Sequence, residues 1–274
     1  MTDMLYIWIG IAVIILLLGS YILSTRCGGN HPTLRKMRPW AYAHRGLHDG
    51  EKPENSISAF RAALVAGYGV ELDVHLLKDG ALAVIHDSSL LRTTGAEGRI
   101  EDLDSQDLWN YRLGGTTETI PRFREVLDLF NGQVPLIIEL KCVDNNYEAL
   151  CQAVCQRLDK YKGLYCLESF DPRCVYWLKK NRPDIVRGQL VENYLRPGSK
   201  LPWILRWGLT CQIFNFLTRP HFVAYKFSDR QRFSNTLVKK IWGATRITWT
   251  LQNNEEYTQA KKEGWIPIFE NFTP

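Results

Sequence analysis

The sequence has no C-x-x-C pair and no cysteine framework: seven cysteines, at positions 27, 142, 151, 155, 166, 174 and 211, are odd in number and irregularly spaced. That pattern excludes a zinc ribbon or a disulfide-stapled scaffold and makes a reducing compartment the simplest reading. The chain also lacks a strong charge bias. Its 34 Lys and Arg against 29 Asp and Glu leave a net charge of +5, too little for a nucleic-acid-binding composition, though compatible with acidic small ligands or an anionic membrane. No G-x-G-x-x-G follows the first expected strand, which argues against a dinucleotide-binding sheet. What is present, 45% hydrophobic and 23% charged residues over 274 positions, excludes a disordered or fibrous chain and suits one large domain or two small ones.

Charge is missing altogether from Met4 to Thr25, and Ile7 to Leu23 form its apolar core. This run approaches the roughly 20 residues that cross a bilayer, so residues 1–25 are expected to be a transmembrane anchor. A signal peptide is disfavoured because Asp3 is the only charge before the run and no A-x-A site follows. Arg26 directly before Cys27 does not resemble a lipoprotein processing site. Arg26, Arg35, Lys36 and Arg38 make 26–38 a basic juxtamembrane linker containing GGNHP. The positive-inside rule then places the large domain, 39–274, in the cytoplasm behind a single pass.

The rest alternates short apolar runs with amphipathic stretches. Strands are expected at 40–43, 69–74, 136–140, 164–170, 185–190, 222–227, 245–251 and 265–272. Helices carry start and stop signals: Asn55 as N-cap of a helix ending at Gly67, Asp171 with Pro172 opening another, and Gly264 closing the last. Eight strands alternating with helices over this length predict an α/β fold, a (β/α)8 barrel, with the doubly wound sheet as competitor. Between VELDV and ALAVIHD the gap is too short for a parallel crossover, so a hairpin insertion is expected after strand two. With Asp79 and Gly80 as a two-residue loop, Asp73 faces His86, and Glu71 shares the face of Asp73. A slip of one residue would move His86 away. His44, with Arg45, ends the first strand, and Glu139 and Lys141 end the strand LIIEL, at the barrel end that carries chemistry.

The strings AHRGLHDGEKPENSISAF, GVELDVHLLKDGALAVIHDSSLLRT, IPRFREVLDLF, LIIELK, LESFDP and ITWTL resemble glycerophosphodiester phosphodiesterases, here of a membrane-anchored bacterial type. The resemblance runs from about Tyr42 to the end. It implies a barrel that hydrolyses glycerophosphodiesters to glycerol 3-phosphate and an alcohol, in lipid metabolism. It makes His44 and His86 the acid and base pair, either holding either role. Glu71, Asp73 and Glu139 match the family's metal-binding carboxylates, an oxygen set that suits Mg2+ or Ca2+. Arg45 and Lys141 match phosphate-holding positions, and Glu54 matches an orienting group or outer ligand, with Asn55 behind it. The resemblance further implies attack by the adjacent glycerol hydroxyl through a cyclic phosphate. Alternatives are a lysophospholipase D-like or phosphoinositide-cleaving activity, or a silent barrel that binds head groups.

Other residues read as structural. His75 is expected to be hydrated; His31, His48 and His221 have no partner pattern; Cys151 and Cys155 lie on a buried helical stripe. Phe170 and Trp249 either wall the pocket or pack in the core. Two departures from the family, Arg122–Phe123 and the terminal FENFTP, are expected to touch no catalytic position. A third, the apolar segment 201–217 with Arg206 its only charge, is a candidate interfacial helix.

Overall fold

The protein is described by a computed structural model covering residues 2–29, 31–198 and 201–274; Asn30 of the expected GGNHP linker and Met1 of the expected anchor lie outside the described residues. The helices are α1 Thr2–Ser24, α2 Pro32–Met37, α3 Ile57–Val65, α4 Leu91–Thr94, α5 Phe123–Phe130, α6 Tyr147–Leu158, α7 Pro172–Asn181, α8 Trp203–Thr210, α9 Asn215–Thr218, α10 Phe233–Lys240 and α11 Asn254–Lys262. The strands are β1 Tyr42–His44, β2 Gly69–Leu76, β3 Leu82–Val84, β4 Leu136–Leu140, β5 Tyr165–Ser169, β6 Arg187–Val191, β7 Phe222–Lys226, β8 Thr245–Leu251 and β9 Ile266–Phe269.

Neighbouring strands run β1-β9-β8-β7-β6-β5-β4-β2-β3, and β1 also pairs with β2. Eight parallel strands therefore close into a TIM barrel, with β3 hung antiparallel on β2. The expected doubly wound competitor is excluded by that closure. Tyr42, Ile137, Cys166, Leu190, Phe222, Ile247 and Ile268 fill the interior, while a larger apolar layer lies between strands and helices. Residues after the hairpin build a third small core around Ile85, Leu90, Ile100 and Leu108.

The hairpin departs from expectation in register. Its pairs are Val74 with Val84, His75 with Ala83 and Leu76 with Leu82, one residue off the predicted alignment. Leu77 N–H donates to Ala81 O at 2.9 Å, so the loop has three residues, with Gly80 at φ +81°. A three-residue loop with a left-handed glycine is the next most favoured hairpin closure after the two-residue turn. Asp73 consequently faces Ile85, whose N–H it accepts at 3.2 Å, and not His86.

The basic segment 26–38 differs from a free tether. Its helix α2 is capped by His31, whose Nδ1 accepts from Thr33 N–H at 3.2 Å. Leu34 and Met37 are fully buried against the interior residues, closing the floor of the barrel. The end of α1 is also fastened: Tyr21 Oη donates to Cys211 O at 3.3 Å, Trp242 Nε1 to Ile22 O at 3.2 Å, and Gly28 N–H to Pro220 O at 2.8 Å. From Asp3 to Ser24, α1 is long and apolar enough to cross a membrane.

Candidate active site

Strands β2, β4 and β5 bring four acidic side chains together beside His44, which ends β1. Parallel register sets His44 beside Glu71, Asp73 beside Glu139, and Glu139 beside Glu168. Because alternate residues of a strand share a face, Glu71 and Asp73 both point inward. Ligand oxygens of Glu71, Asp73 and Glu139 lie within 4.8 Å of one another. All three are buried, which is costly for carboxylates unless cations compensate. Lys141 Nζ supplies part of that, 2.9 Å from Asp73 Oδ1 and 2.8 Å from Glu139 Oε1. Arg45 adds a second cation, with Nε 3.4 Å from Asp73 Oδ2, and its backbone N–H lies 3.2 Å from Glu71 Oε2.

The compensation is uneven. Burial, followed by repulsion from Asp73 and Glu139, pushes the Glu71 carboxyl well above its usual range. Glu139 is pushed up to about 7 by burial, against the pull of Lys141. Burial would raise Asp73 too, but Lys141 and Arg45 hold it well below the carboxylate range. Two of the three oxygens sets thus remain short of positive charge. Hard, buried oxygen donors in that condition fit a divalent cation such as Mg2+ or Ca2+. Glu168, absent from the expected set, adds a fourth carboxyl: it is 1% exposed, its Oε2 has no hydrogen-bond partner, and burial raises it strongly.

Each histidine is held by its own carboxylate. His44 Nδ1 lies 2.8 Å from Glu270 Oε1 and His86 Nδ1 lies 2.6 Å from Asp87 Oδ1. A carboxylate at Nδ1 fixes the tautomer and leaves Nε2 for chemistry; His44 Nε2 is 3.8 Å from Glu71 Oε2. Both rings are held below the ordinary histidine range, chiefly by burial. Glu270 stands in FENFTP, so that departure does touch a site residue. It also accepts from His48 Nε2 at 3.1 Å and Gln252 Nε2 at 3.0 Å, which gives His48 the partner that sequence did not offer.

His86 reaches the site although the register slipped, because β3 ends at Val84 and the pleat no longer dictates where its ring points. Instead His75 Nε2 lies 3.1 Å from His86 O, and His75 Nδ1 lies 2.7 Å from Glu101 Oε1. His75 is 1% exposed, a buried bracket and not the hydrated side chain expected.

Asn55 is likewise not the N-cap. Ser56 caps α3 by accepting from Ala59 N–H at 3.1 Å, while Asn55, at φ +55°, donates Nδ2 to Asp73 Oδ2 at 2.8 Å. Glu54 stays outside the three converging carboxylates; it receives Arg45 Nη1 at 2.9 Å and a two-pronged bond from Arg92. Arg45 itself sits at φ +55°, a region that costs a residue with a Cβ about 1 kcal/mol or more. The next residue must be glycine: a Cβ on Gly46 would lie 2.9 Å from the Ala59 carbonyl carbon.

Residues 44–273 match the glycerophosphoryl diester phosphodiesterase family. The chain belongs to that family. It is 40% identical over 114 residues to a glycerophosphodiester phosphodiesterase of Bacillus altitudinis, covering 39% of this chain and 46% of that protein. It is 32% identical over 166 residues to one of Caldanaerobacter subterraneus, covering 57% and 68%. The matched stretch thus spans about half the length of the first relative and two thirds of the second. An Oleispira antarctica phosphodiesterase, solved in complex with sn-glycerol-3-phosphate, superposes with a TM-score of 0.72 at 23% identity, over 86% of this chain and 94% of that one. That likeness concerns the barrel. Phe170 and Trp249, in edge contact with centroids 5.6 Å apart, wall the recess that His44 and His86 share.

Proposed function

We propose that the chain is a membrane-anchored, metal-dependent phosphodiesterase that hydrolyses glycerophosphodiesters to glycerol 3-phosphate and an alcohol. The observation that carries this reading is the meeting of two carboxylate-held histidines, three carboxylates and two cations at one end of the barrel. Glu71, Asp73 and Glu139 would hold one divalent cation, Mg2+ or Ca2+, which supplies positive charge for the phosphate oxygens. Arg45 and Lys141 add their own charge where the phosphorane's equatorial oxygens develop theirs. One histidine takes the proton of the attacking glycerol hydroxyl as the P–O bond forms. The other gives a proton to the alcohol oxygen as the second P–O bond breaks. Water then opens the cyclic phosphate with the two roles exchanged, returning both histidines to their starting states. Glu270 and Asp87 orient the rings, and Glu54 holds the Arg45 guanidinium.

The anchor is residues 1–25 and the catalytic barrel 39–274, with the barrel on the cytoplasmic side. The basic residues around 26–38 support that orientation, and protease access in right-side-out against inside-out vesicles tests it. The activity is tested with the full chain: glycerol 3-phosphate release from glycerophosphocholine with Mg2+, Ca2+ or EDTA, beside His44→Ala. Release that requires metal and disappears in the variant is the expected result. Folded protein with no release from any glycerophosphodiester overturns the reading in favour of the silent head-group-binding barrel.

A further inference from the structure

The direction in which α1 leaves the barrel follows from what its last turns touch. Tyr21 stacks on Phe233 at the start of α10, with ring centroids 6.4 Å apart, whereas Ile22 O and Thr25 Oγ1 both accept from Trp242 Nε1 at 3.2 Å, just past the end of α10. Helix α10 follows β7, and a helix that follows a barrel strand runs from the mouth back to the floor. The end of α1 therefore descends beside α10 from mouth to floor, and the rest of α1 projects from the mouth side. The floor closed by α2 points the other way.

The depth follows from the charges. Asp3 and Arg26 bound the charge-free run, and counting from Met4 the roughly 20 residues of a spanning helix, at about 1.5 Å each, end near Leu23. Tyr21 lies inside that count. What holds Tyr21 is then drawn to the level where hydrocarbon meets head groups: Phe233 through the ring stack, and Cys211, whose carbonyl accepts from the Tyr21 hydroxyl at 3.3 Å. Cys211 ends α8, and α8 belongs to the mouth, since Leu205 and Leu209 line a cavity together with His86 and Lys141.

The surface at that level is apolar. Trp203, Ile204 and Trp207 share the outer face of α8 and are exposed by 68%, 69% and 40%, and Phe233 is exposed by 63%. Single exposed apolar side chains are ordinary, whereas several large ones on one face mark a contact surface. Tryptophan in particular favours the boundary between hydrocarbon and head groups. Arg206, the only charge on α8, leaves the face neutral, because its guanidinium bonds to Tyr194 O at 2.7 Å and Arg196 O at 2.9 Å.

We infer that the mouth of the barrel rests on a phospholipid bilayer, with the outer face of α8 and the start of α10 sunk into its interface. The catalytic opening then faces the membrane surface and the α2 floor faces water. This rests on the membrane-anchored reading above.

The test places the full chain, carrying 5-fluorotryptophan, in phosphatidylcholine nanodiscs and records 19F NMR spectra. Trp8→Phe, Trp203→Phe, Trp207→Phe and Trp242→Phe assign the four signals that matter. Two broadening agents are compared: a phosphatidylcholine with a nitroxide high on its acyl chain, and a water-soluble gadolinium chelate. The lipid nitroxide should broaden Trp8, Trp203 and Trp207 several-fold more than the chelate does, and should broaden Trp242, at the floor end of α10, less than Trp203. Trp8 broadened by the lipid, with Trp203 and Trp207 broadened by the chelate alone, overturns the docked mouth while the anchor stands. Trp242 broadened by the lipid more than Trp203 overturns the mouth-first direction. No response of Trp8 to the lipid nitroxide overturns the anchor and the docking together.

Discussion

At the floor of the barrel α2 presses Leu34 and Met37 onto an interior of aliphatic and aromatic side chains, whereas at the mouth four buried carboxyls crowd around two cations. The floor gains from every contact it makes. The mouth stands close to electrostatic deficit, with Glu71, Glu139 and Glu168 all raised by burial. One end of the same fold supplies stability and the other spends it on a charge distribution suited to phosphate and metal. The two should therefore separate under mutation.

The sharpest separation is expected at the histidines. His44→Ala or His86→Ala should lower kcat/KM about 10^3-fold, with the unfolding midpoint nearly unmoved; a large drop in midpoint would break the contrast. The reverse is expected below. Leu34→Ala or Met37→Ala should cost about 2–4 kcal/mol in denaturant unfolding, while kcat of the folded fraction stays within about twofold of wild type, as expected for a substitution remote from the reacting groups.

Glu270→Gln should reduce kcat/KM by about 10- to 100-fold. Loss of the carboxylate removes an influence that raises His44, so His44 titrates still lower. If the acid limb of the kcat/KM profile moves to lower pH, His44 is the base. A move of the alkaline limb makes it the acid.

The smallest effect concerns metal and pH. Carboxyls raised in the folded state stabilise it below their unfolded pKa, and that contribution is lost as pH rises through the folded value, about 7 for Glu139. Metal-free protein should lose on the order of 1 kcal/mol between pH 5 and pH 8. Mg2+ or Ca2+ should restore it, raising the melting temperature more at pH 8 than at pH 5.

Much of this was legible in the chain. Strands β4 and β8 have the boundaries that their apolar runs predict, and the family's strings point to His44, Glu71, Asp73 and Glu139, which the register does gather. What was not legible depends on distance along the chain or on backbone detail. Glu270 lies 226 residues from His44, and only barrel closure makes them neighbours. Asp87 and Glu168 sat beside motif residues, yet nothing local marks a carboxylate as a ring partner or a fourth acid. The hairpin slip came from a loop one residue longer than the Asp79–Gly80 pair suggests. Asn55 met the statistical preference for an N-cap, but Ser56 satisfies the same preference one position later and releases Asn55 to Asp73. The floor helix was hidden because Leu34 and Met37 stand among basic residues that read as a tether.

The fastening of α1 has a mechanical consequence. Tyr21, Trp242 and Gly28 bind the end of that helix to the barrel within a few residues of its last turn. With α1 in a bilayer, the barrel cannot swing on a leash; it rotates and drifts with its stem. A substrate carried in that same membrane would then be met by a walk across a plane, at a rate set by diffusion and density within the surface instead of concentration in the surrounding volume.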